Sequence, residues 1–239
     1  MKRVLVSGGS GEIGAAICRE LSKDGWEVIV HANANPDRAT ALAEEITAGG
    51  GLAQSVCFNV VDGAQTSDAL ATLLEAGPIQ GIVHNAGIHD DAPMAGMSAR
   101  QWHSVIDVSL HGFFNLTQPL LLPMMRTRWG RIVALSSVSG LIGNRGQANY
   151  AAAKSGLHGA VRSLAHEIAS RGVTVNCVAP GIIATPMTAG KFDAARIEQL
   201  VPLKRAGTPQ EVAGLVGFLM SPRAGYITGQ VISINGGMA

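Results

Sequence analysis

Charge is scarce in this sequence and nearly balanced: Asp, Glu, Lys and Arg make up 15% of it, with 18 basic residues against 17 acidic ones. A net charge of +1 excludes the basic stripe of a nucleic-acid-binding surface and the acidic excess of a solvating tail. Aromatic residues are few, and only two tyrosines occur, Tyr150 and Tyr226. Cysteine is limited to Cys18, Cys57 and Cys177, odd in number, far apart and without a CxxC pair. This excludes a disulfide framework and predicts buried free thiols in a reducing compartment. No apolar run approaches the roughly 20 residues of a membrane span. The start, Met1-Lys2-Arg3-Val4-Leu5-Val6, reaches a glycine cluster too soon for a signal peptide. A cytoplasmic protein without membrane or nucleic-acid partners is expected. No His or Cys pair has zinc spacing, and His166-Glu167 lacks the second histidine of an HExxH motif, so no metal is expected.

What is present is apolar residue in quantity, 47% of 239 residues, enough to bury one sizeable core. β-branched runs at 4–7, 27–31, 53–58, 81–84, 131–135, 174–178 and 231–234 read as strands. Between them, 13–21, 39–46, 67–74, 102–125, 150–169 and 209–220 carry apolar residues at helical spacing. Strands alternating with helices predict one α/β domain over 1–239, a doubly wound parallel sheet of Rossmann type with helices on both faces. In such sheets ligands bind beyond the carboxyl ends of the strands, so the chemistry belongs in the loops found there.

The first strand runs into Ser7-Gly8-Gly9-Ser10-Gly11-Glu12-Ile13-Gly14 and then a helix. Gly9, Gly11 and Gly14 have GxGxxG spacing, which permits a tight turn and close approach of backbone to a pyrophosphate at a helix N-terminus. An NAD site places a carboxylate at the end of the second strand, where it binds the ribose 2′-hydroxyl. Here the chain reads His31-Ala32-Asn33-Ala34-Asn35, with no carboxylate and with Arg38 as the nearest cation. NADP(H) is therefore the expected coenzyme.

Ser136-Ser137-Val138-Ser139 is followed by Tyr150-Ala151-Ala152-Ala153-Lys154, which puts Tyr150 and Lys154 on one helix face. A phenol titrates near 10, and working at neutral pH asks for about 4 kcal/mol of differential stabilisation. An ammonium about 4 Å away at an effective dielectric of about 20 supplies that much. Tyr150 could then protonate a carbonyl oxygen while hydride arrives at its carbon, with a loop serine holding the same oxygen.

With these residues in place, the chain resembles the short-chain dehydrogenase/reductase family over its whole length. Other matches are Asn85-Ala86-Gly87, Pro180-Gly181 with Thr185, Tyr226-Ile227-Thr228-Gly229-Gln230, and Asn235-Gly236-Gly237. Within the family it is most similar to bacterial 3-oxoacyl-[acyl-carrier-protein] reductases, whose pattern the segment Gly143-Asn144-Arg145-Gly146-Gln147-Ala148-Asn149-Tyr150 follows. The resemblance implies that Ser137, Tyr150 and Lys154 are catalytic, with Ser109 supporting a proton relay. It implies coenzyme contacts from Gly8, Ser10, Gly11, Ile13, Gly14, Asn33, Asn59, Val60, Asn85, Ala86, Gly87, Tyr150, Lys154, Pro180, Gly181, Ile183 and Thr185. Substrate contacts fall to Ser137, Ser139, Gln147 and Tyr150. Arg128 and Arg171 match positions that dock the acyl carrier protein. The implied activity is NADPH-dependent reduction of a 3-oxoacyl group on that carrier. Met94, Met97, Leu141, Ile142, Ile182, Ile183 and Met187 fall in loops placed to line an acyl channel. Reductases of a CoA ester, a polyketide intermediate or a free secondary alcohol share the same motifs.

Four departures from the family pattern involve five positions. Glu12 replaces the middle glycine of the loop; either it crowds the pyrophosphate, or it turns away and favours the first helical turn. Ser109 stands where the family has a catalytic asparagine that anchors water. Asn59 replaces an aspartate beside the adenine. Gly11 and Asn33 occupy places where arginines often bind the 2′-phosphate. Glu12 and Ser109 are also what a non-catalytic nucleotide-binding subunit of a hetero-oligomer would carry. The family resemblance implies a homotetramer, and apolar residues on more than one face of the helices at 102–125 and 150–169 (Phe113, Phe114, Leu116, Leu120 and Leu121; Leu157, Val161 and Leu164) call for a second surface to cover them.

Overall fold

The structure, a computed structural model, describes residues 1–186, 188 and 193–239. Met187, assigned above to a channel lining, lies outside the described residues. Seven parallel strands form one sheet: β1 (Arg3–Ser7), β2 (Glu27–Ala32), β3 (Leu52–Cys57), β4 (Gly81–His84), β5 (Gly130–Leu135), β6 (Val173–Pro180) and β7 (Val231–Ile234). Their order is β3-β2-β1-β4-β5-β6-β7. β1, β4, β5 and β6 are buried along their whole length, which is why they read as unbroken apolar runs.

Helices cover both faces: α1 (Glu12–Lys23), α2 (Pro36–Ala48), α3 (Gly63–Glu75), α4 (Ala99–Ile106), α5 (Gly112–Arg126), α6 (Ser139–Ile142), α7 (Ala148–Ile168), α8 (Ala194–Leu200) and α9 (Pro209–Met220). Strand alternation sorts the core into two layers. Val4, Val6, Val28 and Val30 pack with Ile17 and Leu21 of α1 and Val216 of α9. Leu5, Ile29, Ile82 and Ile132 pack with Leu70 of α3, Leu116 of α5 and Leu157 of α7.

Three expectations are corrected here. The helix expected over 102–125 is α4, a π-helical turn at Asp107–His111, and α5. Cys57 is exposed rather than buried, because β3 is the edge strand; Cys18 and Cys177 are buried. Phe113, Leu116, Leu120, Leu157 and Val161 need no second chain, since this chain's own core buries them. On α5 it is Phe114 and Leu122 that stand exposed, at 63% and 64%.

The strand order reverses between β1 and β4, with Ser7 opposite His84. That switch point opens a crevice at the carboxyl ends of the strands. Among the described residues no helix is long and apolar enough to cross a membrane, and no group of three or more His, Cys, Asp and Glu is placed to hold a metal.

Candidate active site

The glycine loop after β1 is fixed by residues outside it. Gly8 adopts a positive φ of 61°. A Cβ on Gly14 would overlap the Gly8 carbonyl and sit 2.8 Å from Gly9 Cα, so only glycine lets α1 start against the loop. The Asn85 amide donates to the carbonyls of Ser7 (3.2 Å) and Gly8 (2.9 Å). The Ser7 hydroxyl accepts the N–H groups of Asn85 and Ala86, both at 3.0 Å, which leaves its proton for His84 Nδ1 at 3.3 Å. His84 Nε2 in turn donates to the Ser109 carbonyl at 3.0 Å, and burial pushes this histidine down to about 3, with the Lys154 charge adding to it.

His31 does the same on the other side. Its Nδ1 accepts the Gly8 N–H at 3.1 Å, and Nε2 donates to the Phe58 carbonyl at 2.9 Å. Burial holds it neutral, down to about 4. The first helical bond of α1 runs from Ala15 N–H to the Gly11 carbonyl at 2.7 Å, so the N–H groups of Glu12, Ile13 and Gly14 have no helical acceptor ahead of them. A cradle that excludes a Cβ, beside three free donors and a helix N-terminus, fits the pyrophosphate of a dinucleotide. Ser10 and Gly11 form its outer rim, half-buried and exposed respectively.

The serine loop and α7 meet across the crevice. Ser136 is structural: its hydroxyl bonds the Lys154 carbonyl (3.1 Å) and His158 Nε2 (2.6 Å). Ser137 Oγ accepts the Ser139 N–H at 3.1 Å, and the Ser137 side chain favours the ionised form of the Tyr150 phenol. Asn149 sets where α7 begins. It accepts the Tyr150 N–H at 2.8 Å and donates to the carbonyls of Asp90 (3.0 Å) and Gln101 (2.9 Å). The Lys154 ammonium donates to the Leu135 carbonyl at 2.9 Å, and a Cβ on Gly87 would come within 3.0 Å of it.

The electrostatics differ from the expectation that the ammonium acidifies the phenol. Burial raises the Tyr150 phenol above its ordinary value, the Ser137 hydroxyl pulls it back, and Asp91 pushes it further up. Burial lowers Lys154 to about 8. Lys154 Nζ lies 5.6 Å from the Tyr150 ring centroid, and its hydrogen bond goes to β5.

A family model described as Enoyl-(Acyl carrier protein) reductase matches residues 9–239. A 3-oxoacyl-[acyl-carrier-protein] reductase of Aggregatibacter actinomycetemcomitans is 41% identical over 237 residues, 98% of each chain. One from Synechocystis is 43% identical over 236 residues, covering 98% of this chain and 95% of its own. One from Staphylococcus aureus is 41% identical over 240 residues, 99% of this chain and 98% of its own. The chain belongs to the short-chain dehydrogenase/reductase family. It is an oxidoreductase that interconverts a carbonyl and a hydroxyl, on a fold that binds a nicotinamide dinucleotide.

Several of the positions expected from the sequence are, in this short-chain dehydrogenase/reductase, committed to the protein itself. Ser139 Oγ donates to Gln147 Oε1 at 2.9 Å, and Gln147 Nε2 donates to Asp91 Oδ2 at 3.0 Å. Asn59 Oδ1 accepts the Val61 N–H at 3.1 Å, and Val60 is buried. The Pro180 carbonyl accepts the Val138 N–H at 2.7 Å, joining the serine loop to β6. The Gly181 N–H donates to the Ile234 carbonyl at 2.9 Å, where a Cβ would crowd Asn235. Ile183 is buried and bridges to Gly207, and the Thr185 N–H donates to Thr188 Oγ1 at 3.1 Å.

Glu12 turns toward Arg38, with Nη2 and Oε1 3.2 Å apart, and Asn33 is exposed nearby. Ser109 lies in the π-turn, fully buried, with no hydrogen-bond partner for its hydroxyl. Met94 and Ile142 are exposed and Leu141 partly so, while Met97 and Ile182 are half-buried. Arg128 and Arg171 are exposed and precede β5 and β6, at the opposite end of the sheet from Tyr150.

Four residues in this arrangement escaped the sequence reading: His31, His84, Asp91 and Asn149. Asn149 adjoins Tyr150, but nothing in its spacing marks it. The two histidines each end an apolar strand run, a position where a ring with two nitrogens can bridge loops; that is the one signal available.

Proposed function

We propose that this protein reduces 3-oxoacyl groups carried on acyl carrier protein to 3-hydroxyacyl groups, using NADPH. The observation that carries the reading is the Ser137–Tyr150 pair. Ser137 Oγ already accepts a backbone N–H, so its hydroxyl proton, like that of the Tyr150 phenol, can be turned to a single carbonyl oxygen. When bound, the dihydronicotinamide supplies the hydride. Ser137 and Tyr150 hold the substrate oxygen, and the phenol gives up its proton as charge develops there. Burial keeps that proton on Tyr150 until it is needed. Lys154 keeps a positive charge below the phenol, with two ammonium protons left for a ribose hydroxyl or water. The orphan hydroxyl of Ser109 fits a buried water that would refill the relay.

The substrate class is supported by the names of the relatives, and the phosphorylated coenzyme by the missing carboxylate after β2. Arg128 and Arg171 are read as docking groups for the acidic carrier. Phe114 and Leu122 support a homotetramer as the assembled form.

The test is purified protein with NADPH and an acetoacetyl thioester, followed at the nicotinamide absorbance band, with a crotonyl thioester as the enoyl control. Turnover of the ketone alone is expected. Tyr150→Phe should lower kcat by about 10²–10⁴ while NADPH still binds. Bound NADPH without turnover would instead mark a non-catalytic subunit.

A further inference from the structure

We infer that Glu12 limits the affinity of this protein for NADPH by occupying Arg38, the cation that a 2′-phosphate must take over. The inference rests on the reading that the crevice binds a nicotinamide dinucleotide.

Glu12 opens α1 directly after the glycine loop, and Arg38 lies in the first turn of α2, just after β2. β1 and β2 are adjacent and parallel, with Val6 opposite Val30, so the two loops leave the sheet side by side. In this fold the ribose 2′-position is read at the end of the second strand. The segments gathered there are 7–14, 31–40 and 57–65. Between them they hold one Arg and no Lys, against Glu12, Asp37 and Asp62. His31 adds no charge, because burial keeps it neutral and both ring nitrogens are engaged. Recognition of a phosphate on this side therefore depends on Arg38.

Arg38 is already engaged. Its Nη2 meets Glu12 Oε1 at 3.2 Å, a single contact between side chains that are 60% and 49% exposed. Such a pair is weak and easily exchanged. A phosphate can take the guanidinium in a forked, charge-assisted contact, which is stronger. The exchange has a consequence that a neutral pair would not: it leaves the Glu12 carboxylate beside a phosphate dianion. Glu12 thus disfavours the phosphorylated coenzyme twice, by competing for its cation and by repelling it. A coenzyme with a free 2′-hydroxyl meets neither effect. The position occupied by glycine in related loops becomes, in this chain, a control on selectivity.

The experiment is equilibrium titration of the full chain with NADPH and with NADH, read by nicotinamide fluorescence, for the wild type, Glu12→Gln, Arg38→Gln and the double variant. Glu12→Gln should tighten NADPH about fivefold and move NADH by less than about twofold. Arg38→Gln should weaken NADPH selectively, and adding Glu12→Gln to it should recover less than the same change does in the wild type. Thermal midpoints without coenzyme should be close to wild type, since both side chains lie at the surface. An equal shift for both coenzymes would assign Glu12 to the pyrophosphate and overturn the inference, as would no shift at all. If neither coenzyme binds the wild type, the dinucleotide reading beneath it fails too.

Discussion

The ammonium of Lys154 is anchored to the Leu135 carbonyl at 2.9 Å, with the Tyr150 ring centroid 5.6 Å away. The lysine is thus held by the end of β5 rather than by the phenol. Its burial lowers its titration to about 8. Because the value is lowered, the charged form dominates below that pH and is lost above it. We predict that kcat/KM for reduction falls as pH rises through about 8. Lys154→Met should be slow at every pH and lack that inflection. A pH–rate profile of both proteins decides it; a wild-type rate that stays level well into alkali would show that the charge is not required.

Gly14 and Gly214 are both helical glycines, and they should respond to alanine with opposite signs. At Gly14 a Cβ meets the backbone of Gly8 and Gly9, neither of which can yield. Gly14→Ala should cost roughly 1–3 kcal/mol of stability and more than about tenfold in coenzyme affinity. At Gly214, in α9, nothing lies within 4 Å. Gly214→Ala should stabilise by about 0.5–1 kcal/mol through helix propensity. Urea unfolding of the two variants, with coenzyme titration of each, tests the pair.

His31 and His84 couple the glycine loop to pH. Burial lowers both, to about 4 and about 3, from an ordinary value of 6.5. Between those limits the unfolded chain binds protons that the folded chain refuses. Stability therefore rises with pH across this window and is lost as pH falls below 6.5 toward 4 and 3. Each histidine adds a slope of up to about 1.4 kcal/mol per pH unit. Unfolding at a series of pH values should show this slope, and His31→Gln, which keeps a polar group without titrating, should flatten it.

The sheet and the reactive groups were legible because each has a local signature. Unbroken apolar runs such as Val4-Leu5-Val6 mark strands buried on both faces. Tyr150 and Lys154 declare themselves by spacing. What was not legible depends on contacts distant in sequence. The π-turn at Asp107–His111 leaves the apolar rhythm of 102–125 nearly intact, so the sequence shows one helix where the chain makes room for Ser109. The exposure of Cys57 follows from β3 being the sheet edge, a property of strand order. The partner of Glu12 lies 26 residues away, across two loops, and no periodicity links it to Arg38.

Arg128 and Arg171 provide the last test, because the fold separates them from the chemistry. Arg128 takes a positive φ of 52° in the turn before β5, and its carbonyl packs against Gly172 in the turn before β6. The two arginines therefore flank one contact between turns, at the amino ends of strands whose carboxyl ends carry the serine loop. A β-strand the length of β5 puts about 20 Å between those ends. Their charge is too far from the reacting carbonyl to alter the chemical step through a screened surface field. Reversing both, Arg128→Glu with Arg171→Glu, should raise KM for a carrier-bound 3-oxoacyl substrate by more than about tenfold, through lost attraction to an acidic partner. It should leave kcat and KM for a short CoA thioester unchanged. Steady-state kinetics on the two substrates in parallel separates the cases: an equal loss on both would mean that these arginines support the fold or the assembly rather than the carrier.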